Sequence, residues 1–332
     1  MKNLFKIRFL AIFALLSVFC SSCEDEVSPV MSSDTTITGL AKATPSLSIL
    51  VEALVKVNLA TTLQGTGPFT VFAPTNAAFN TFLTSNSFVT NGLPDINKVP
   101  NEVLTQVLLN HVVSGAVLSG ALTNNSYIKT LAKGSASATN TLSMYVNTSA
   151  GVRLNGVSNV ITTTAGTTFN IAASNGVIHT VDAVIGLPTI VTHAAANPNF
   201  STLVSIVTSP AQSAVLTALT TNTTPLTVFA PTNAAFTVAL GTGGFANGAT
   251  NAQVTKVLQY HVTAAGNVLS TSLTNGQVIP MITSPVQNIT IDLTSGARIT
   301  DTSATKATIV VVNVQCTNGI IHAVDKVLQP VL

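Results

Sequence analysis

Apolar residues recur along this chain at two spacings, and the same succession of spacings is run through twice. After Thr44-Pro45, a cap followed by a first-turn proline, Leu47, Leu50, Val51 and Leu54 fall at i, i+3, i+4 and i+7, one face of a helix. Phe200, Leu203, Val204 and Val207 repeat that spacing after Asn197-Pro198. A second helical stripe, Leu104, Val107, Leu108 and His111, is answered by Val254, Val257, Leu258 and His261. The period then falls to two. Leu142, Met144 and Val146 alternate with polar residues, and Ile289, Ile291 and Leu293 match them. Val152-Arg153-Leu154 and Ala297-Arg298-Ile299 follow, then residues 169–173 and 309–314, all with strand patterns.

The duplication is literal at one place. Thr70-Val71-Phe72-Ala73-Pro74-Thr75-Asn76-Ala77-Ala78-Phe79 recurs unchanged as Thr227-Val228-Phe229-Ala230-Pro231-Thr232-Asn233-Ala234-Ala235-Phe236. Its chemistry predicts a corner. The β-formers come first, proline ends the strand, and Thr75 or Thr232 caps a short helix that carries Ala77, Ala78 and Phe79 inward. Each copy closes on a second shared line, Asn175-Gly176-Val177-Ile178-His179-Thr180-Val181-Asp182 against Asn318-Gly319-Ile320-Ile321-His322-Ala323-Val324-Asp325. Asn-Gly between β-rich runs predicts a two-residue hairpin turn. Helices first and strands later give an α+β class, with domains at residues 41–188 and 189–332 and a short linker near 187–196.

Composition narrows the function classes. Charged residues make up 7% of the 332, against roughly 25% in an average soluble protein. Persistent apolar periodicity and small net charge speak against disorder. The formal charge is +2, but Lys2, Lys6 and Arg8 belong to a segment expected to be removed. Without them ten basic residues face eleven acidic ones, a net of −1. No basic field remains for nucleic acid.

That N-terminal segment has a basic start, an apolar run through residues 9–19 and the small residues Ser21 and Ser22 before Cys23. It predicts a secretory signal over residues 1–22, because the apolar run is shorter than the roughly 20 residues a membrane span needs. Small residues before a cysteine resemble a bacterial lipobox, with Cys20 where leucine is usual, and make Cys23 the candidate lipidation site. Glu24-Asp25-Glu26 then resembles a sorting signal for the outer membrane or cell surface. Residues 23–40 read as a tether. The location expected is an exported surface lipoprotein, with periplasmic or secreted alternatives. Cys316 aligns with Ala173 and is expected to be buried.

The two boxes and the pair Tyr260-His261 resemble the fasciclin-type domain family, FAS1, in two tandem copies over about residues 41–188 and 190–331. The resemblance implies a β-wedge with helices packed alongside, and roles in adhesion and matrix attachment. Copy one departs from the pattern, with Asn110-His111 where the family has Tyr-His. In animal relatives that region is linked to receptor binding, so the resemblance makes Tyr260, His261, Asn110 and His111 candidate partner-binding residues. Thr75, Asn76, His179, Asp182 and their counterparts Thr232, Asn233, His322 and Asp325 are expected to hold structure.

No carboxylate pair, phosphate loop or nucleophile elbow points to an enzyme. His and Asp three apart on a strand face opposite ways, against a dyad. Five scattered histidines, His193 alone near the linker, offer no metal spacing. No cofactor is expected. The expected function is non-catalytic adhesion to a protein or polysaccharide partner. The alternative is an accessory glycan-binding lipoprotein or hydrolase of a surface polysaccharide system.

Overall fold

The computed structural model describes residues 34–162, 169–244 and 246–332. The signal, Cys23 and most of the tether lie outside the described residues. The first half begins with helices α1 (Ile37–Lys42), α2 (Ser48–Lys56) and α3 (Leu59–Thr62), then strand β1 (Phe69–Pro74) and helix α4 (Asn76–Ser85). A small ladder, β2 (Val89–Thr90) with β3 (Leu93–Pro94), precedes helix α5 (Asn101–Asn110). The strand-rich part is β4 (Val112–Ser114), β5 (Ser126–Gly134), β6 (Ser137–Asn147), β7 (Arg153–Leu154), β8 (Ser158–Asn159), β9 (Ile171–Ala173) and β10 (Gly176–Val181).

The second half repeats the plan. Helices α6 (Ile190–Ala196), α7 (Ser201–Val207) and α8 (Ser213–Thr221) lead to β11 (Leu226–Pro231), α9 (Asn233–Leu240) and α10 (Asn251–Gln259). Strands β12 (Val262–Thr263), β13 (Val278–Pro280), β14 (Asn288–Asp292), β15 (Arg298–Thr300), β16 (Ala307–Cys316) and β17 (Gly319–Val324) follow. The protein is α+β in two tandem copies.

Both sheets are built around one parallel pair. The orders are β8-β7-β6-β5-β4-β1-β10-β9 and β12-β11-β17-β16-β15-β14-β13. In the first, β1 lies parallel to β10 with Phe72 opposite His179; in the second, β11 lies parallel to β17 with Phe229 opposite His322. A parallel pair needs a long crossover, and here nearly the whole unit is that crossover. The strand period of two then divides each core. Val71 faces the helices with Phe79, Leu83 and Leu104, whereas Phe72 faces the far side with Met144 and Val146. Copy two sends Val228 and Phe229 to its two clusters in the same way. Burying each such phenylalanine contributes roughly 1.5–3 kcal/mol.

Several local expectations are corrected by tertiary contacts. The tether expected to residue 40 ends earlier, because residues 37–42 are helical and bury Ile37 and Ala41 against copy one. The expected linker contains α6, so most of residues 187–196 is the start of copy two. Thr44 does not cap the next helix; its hydroxyl donates back to the Leu40 carbonyl. Ala77 is exposed; Ala78, Phe79 and Leu83 are the residues of α4 that are buried. Leu293 lies just beyond β14 and is exposed. Residues 142–146 are buried without alternation, because the second face of β6 lies against copy two.

The hairpins of the second boxes turn one residue earlier than expected. Ser174-Asn175 and Thr317-Asn318 form the turns, and Gly176 and Gly319 open the strands. Close approach explains those glycines. A Cβ at Gly176 would stand 1.9 Å from the Phe69 carbonyl oxygen, and one at Gly319 would stand 2.1 Å from that of Leu226.

Candidate functional site

The polar residues shared by the two boxes are used inside each unit. Thr75 accepts the Ala78 N–H and Thr232 that of Ala235, each capping its helix. Asn76 accepts the Ile49 N–H and donates to the Pro45 carbonyl and the Ser48 hydroxyl, tying α4 to the start of α2. Asn233 does the same with Thr202, Pro198 and Ser201. Asn175 accepts from Ile37 N–H and donates to the Leu63 and Gly65 carbonyls. Asn318 matches it on Ile190 and Leu219. A single asparagine turn thus clasps two helix ends in each copy.

The histidines show why no catalytic dyad forms. His179 Nε2 donates to the Val117 carbonyl at 2.9 Å while Nδ1 accepts the Asn170 N–H at 3.2 Å. His322 makes the same two bonds with Val268 and Asn313, and each ring stacks on the phenylalanine of the neighbouring strand. Asp182 instead takes the Asn159 N–H and side-chain amide, and Asp325 takes the Thr308 N–H. Histidine and aspartate therefore look away from each other. Burial pushes the pKa of both imidazoles below its ordinary value.

The four candidates for partner binding are placed inside the protein, a correction to their expected exposure. Asn110, His111, Tyr260 and His261 are 0%, 1%, 0% and 3% exposed, which leaves no surface for a partner. His111 Nδ1 donates to the Val107 carbonyl at 2.7 Å and Nε2 accepts the Ile185 N–H at 2.9 Å. His261 repeats this with Val257 at 2.7 Å and Leu328 at 2.8 Å. Each ring pins the chain that leaves the last strand onto the end of a helix. Desolvation holds both near a pKa of about 4, so they are neutral at neutral pH.

Residues that sequence reasoning passed over form the seam between the copies. The β5–β6 hairpin of copy one lies against β16 and α6 of copy two. Asn197 donates to the Tyr127 hydroxyl at 3.0 Å, Lys129 Nζ to the Asn313 carbonyl at 3.0 Å, and Gln315 N–H to the Ser143 hydroxyl at 3.0 Å. At the hairpin tip the Ala136 N–H and Ser135 hydroxyl both donate to the Thr317 carbonyl. His193 is buried here, edge-on to Tyr127 at 5.7 Å between ring centres. One signal was visible in the sequence. His193 and Asn197 stand where copy one has Leu40 and Thr44, so the repeat breaks where the seam is made.

Cys316 is fully buried and burial raises its thiol pKa, which leaves it inert. Among the described residues no group of three or more His, Cys, Asp or Glu is placed to hold a metal. No single described helix is long and apolar enough to cross a membrane.

Comparison with known proteins joins the two copies to a family. The sequence model of the fasciclin domain matches residues 45–188 and again residues 198–330. This chain belongs to the fasciclin domain family. Among its relatives is protein sll1483 of Synechocystis sp. (strain ATCC 27184 / PCC 6803 / Kazusa), 33% identical over 145 residues, 43% of this chain and 73% of that protein. The uncharacterized protein sll1735 of the same organism is 34% identical over 144 residues, 43% of this chain and 98% of the relative. A solved structure described as a FAS1 domain pair from the insect cell adhesion molecule fasciclin I is 20% identical. It aligns over 86% of this chain and 97% of its own, with a TM-score of 0.47. Fasciclin domains are generally domains of adhesion or interaction, and the matches indicate no enzyme family. In this chain, the shared boxes of each fasciclin domain are its internal fastenings.

Proposed function

We propose that this protein is an exported, surface-anchored and non-catalytic adhesion protein whose two fasciclin domains act as one stiff presenting unit for a protein partner. The observation that carries the reading is the inward use of the motif residues. Their hydrogen bonds are consumed within each domain, which leaves a nearly uncharged exterior rich in Thr, Ser and Asn to make contacts. Such a surface binds through neutral hydrogen bonds with little salt dependence. Protein stands ahead of polysaccharide because the chain has no Trp and its three tyrosines are taken up inside, Tyr145 and Tyr260 in the cores and Tyr127 in the seam. None is free to stack on a sugar ring. Lipidation at Cys23 is the anchor in this reading.

The test uses protein lacking residues 1–22, immobilised and offered to cell-envelope proteins and to a glycan array between about 50 and 500 mM salt. Saturable capture of a protein, with affinity little changed by salt, supports the reading. Capture of glycans alone favours the accessory glycan-binding alternative, and glycan cleavage the hydrolase. Fatty-acid labelling of the full chain in cells, lost in Cys23→Ala, tests the anchor; label retained in that variant removes it.

A further inference from the structure

The seam contains a fully buried histidine whose ring nitrogens have no hydrogen-bond partner. We propose that His193 makes the seam an acid-released latch: on taking up a proton it drives the two fasciclin domains apart while each stays folded. The geometry sets this up. The ring lies between the domains, edge-on to Tyr127 of β5, and the carbonyls of Ser143 and Gln315, one from each domain, face it without reaching hydrogen-bond geometry. The charged and titratable groups around it are Tyr127 and Lys129 from β5, Tyr145 from β6, which packs on Tyr127, and Cys316 from β16. Lys129 is a cation and the other three stay neutral in acid. No carboxylate faces the ring among the described residues.

A proton on His193 therefore places a cation in a dry part of the seam, near the ammonium of the exposed Lys129, with no anion to offset it. Domain separation relieves that cost. It hydrates His193, and the seam bonds it breaks are polar ones that water replaces. His111 and His261 are equally buried, but each sits inside a domain, so charging them requires that domain to unfold. Location is the difference.

Burial lowers His193 to a pKa of about 4, against 6.5 for a hydrated imidazole. The open form thus binds the proton more tightly. Each pH unit below 6.5 shifts the equilibrium toward opening about tenfold, up to roughly 300-fold once the pH is below 4.

Two amides report the seam directly, because Ala136 N–H and Gln315 N–H are satisfied only across it. Phe72 and Phe229 N–H, bonded to the His111 and His261 carbonyls, report the domain cores. Hydrogen exchange, corrected for the intrinsic rate, is measured on the full chain from pH 7 to 4.5. Protection at Ala136 and Gln315 is expected to fall about 40-fold between pH 6.5 and 4.5, with Phe72 and Phe229 still protected. In His193→Phe, which keeps the aromatic edge on Tyr127, the fall is expected to shrink to less than about threefold; His193→Gln serves if that variant does not fold. X-ray scattering on the same samples should show the radius of gyration rising in acid only with His193 present. Acid lowers core protection in wild type and variant alike through His111 and His261. The latch is therefore overturned if seam and core amides are equally protected at pH 4.5, or if the fall at the seam is as large in the variant as in the wild type. Because the readout involves no partner, its failure leaves the adhesion reading untouched.

Discussion

Asn110 and Tyr260 stand at matching ends of α5 and α10 and answer one burial problem with different chemistry. Asn110 bridges, donating to the Ile185 and Gly186 carbonyls and accepting from the Thr130 hydroxyl. Tyr260 fills, packing with Phe229, Ile289 and Met281 while its hydroxyl reaches the Asn288 carbonyl. Where copy two has a bulky tyrosine before the shared histidine, copy one therefore has a polar clamp.

Truncation should separate the two solutions. Tyr260→Ala is expected to cost about 3–5 kcal/mol as a cavity, and Tyr260→Phe about 1 kcal/mol for the lost hydroxyl bond. Asn110→Ala should cost about 1–3 kcal/mol by leaving buried carbonyls unpaired. Urea midpoints measure all three. A Tyr260→Ala protein as stable as wild type would show that the ring is not part of the core.

The glycines that open β10 and β17 have no room to change. Gly176→Ala and Gly319→Ala each drive a methyl into the carbonyl of a paired strand, at a cost on the order of 3–5 kcal/mol. Loss of soluble protein, or a matching drop in thermal midpoint, is the expected readout. Gly186→Ala, with open space around its Cβ position, is the control and should be near neutral.

Acid should weaken the domains themselves through His111 and His261. Both are depressed in the folded state, so between about pH 6.5 and 4 the unfolded chain binds more protons. Their contribution is present in full above pH 6.5 and is lost as the pH falls toward 4, roughly 3 kcal/mol for each histidine. Denaturant titrations at pH 7, 5.5 and 4.5 should show falling stability. A flat or rising profile would contradict it.

Copy two carries a small apolar void. A cavity of about 40 Å³ is lined by Val191, Ala194, Val204, Val215 and their neighbours. Val191→Ile should add about 0.5–1 kcal/mol of stability if the extra methyl enters it. A lowered thermal midpoint would mean that the added methyl overpacks the site.

Much of the fold was legible because it rests on short-range rules applied twice. The spacings around Leu50 and Leu258, the threonine caps and the β-former-to-proline corners are local facts of sequence. So are the two boxes that identify the family. The misreadings share another cause. Residues 37–42 carry little pattern of their own, yet Asn175, 138 residues from Ile37, accepts that helix's first N–H. Leu142 and Met144 alternate with polar residues, yet Ser143 and Tyr145 are buried too, once the second domain covers that face.

The sequence by itself determined that there are two like domains, which residues punctuate them, and which family they belong to. Only the tertiary structure decided which side chains meet water. The Tyr-His pair turned inward because the chain leaving the last strand crosses over it, and a lone histidine near a linker became the centre of a seam. The physical reason is distance along the chain. Spacing reports what a residue does to its own helix or strand, whereas burial is set by whatever distant segment is packed on top.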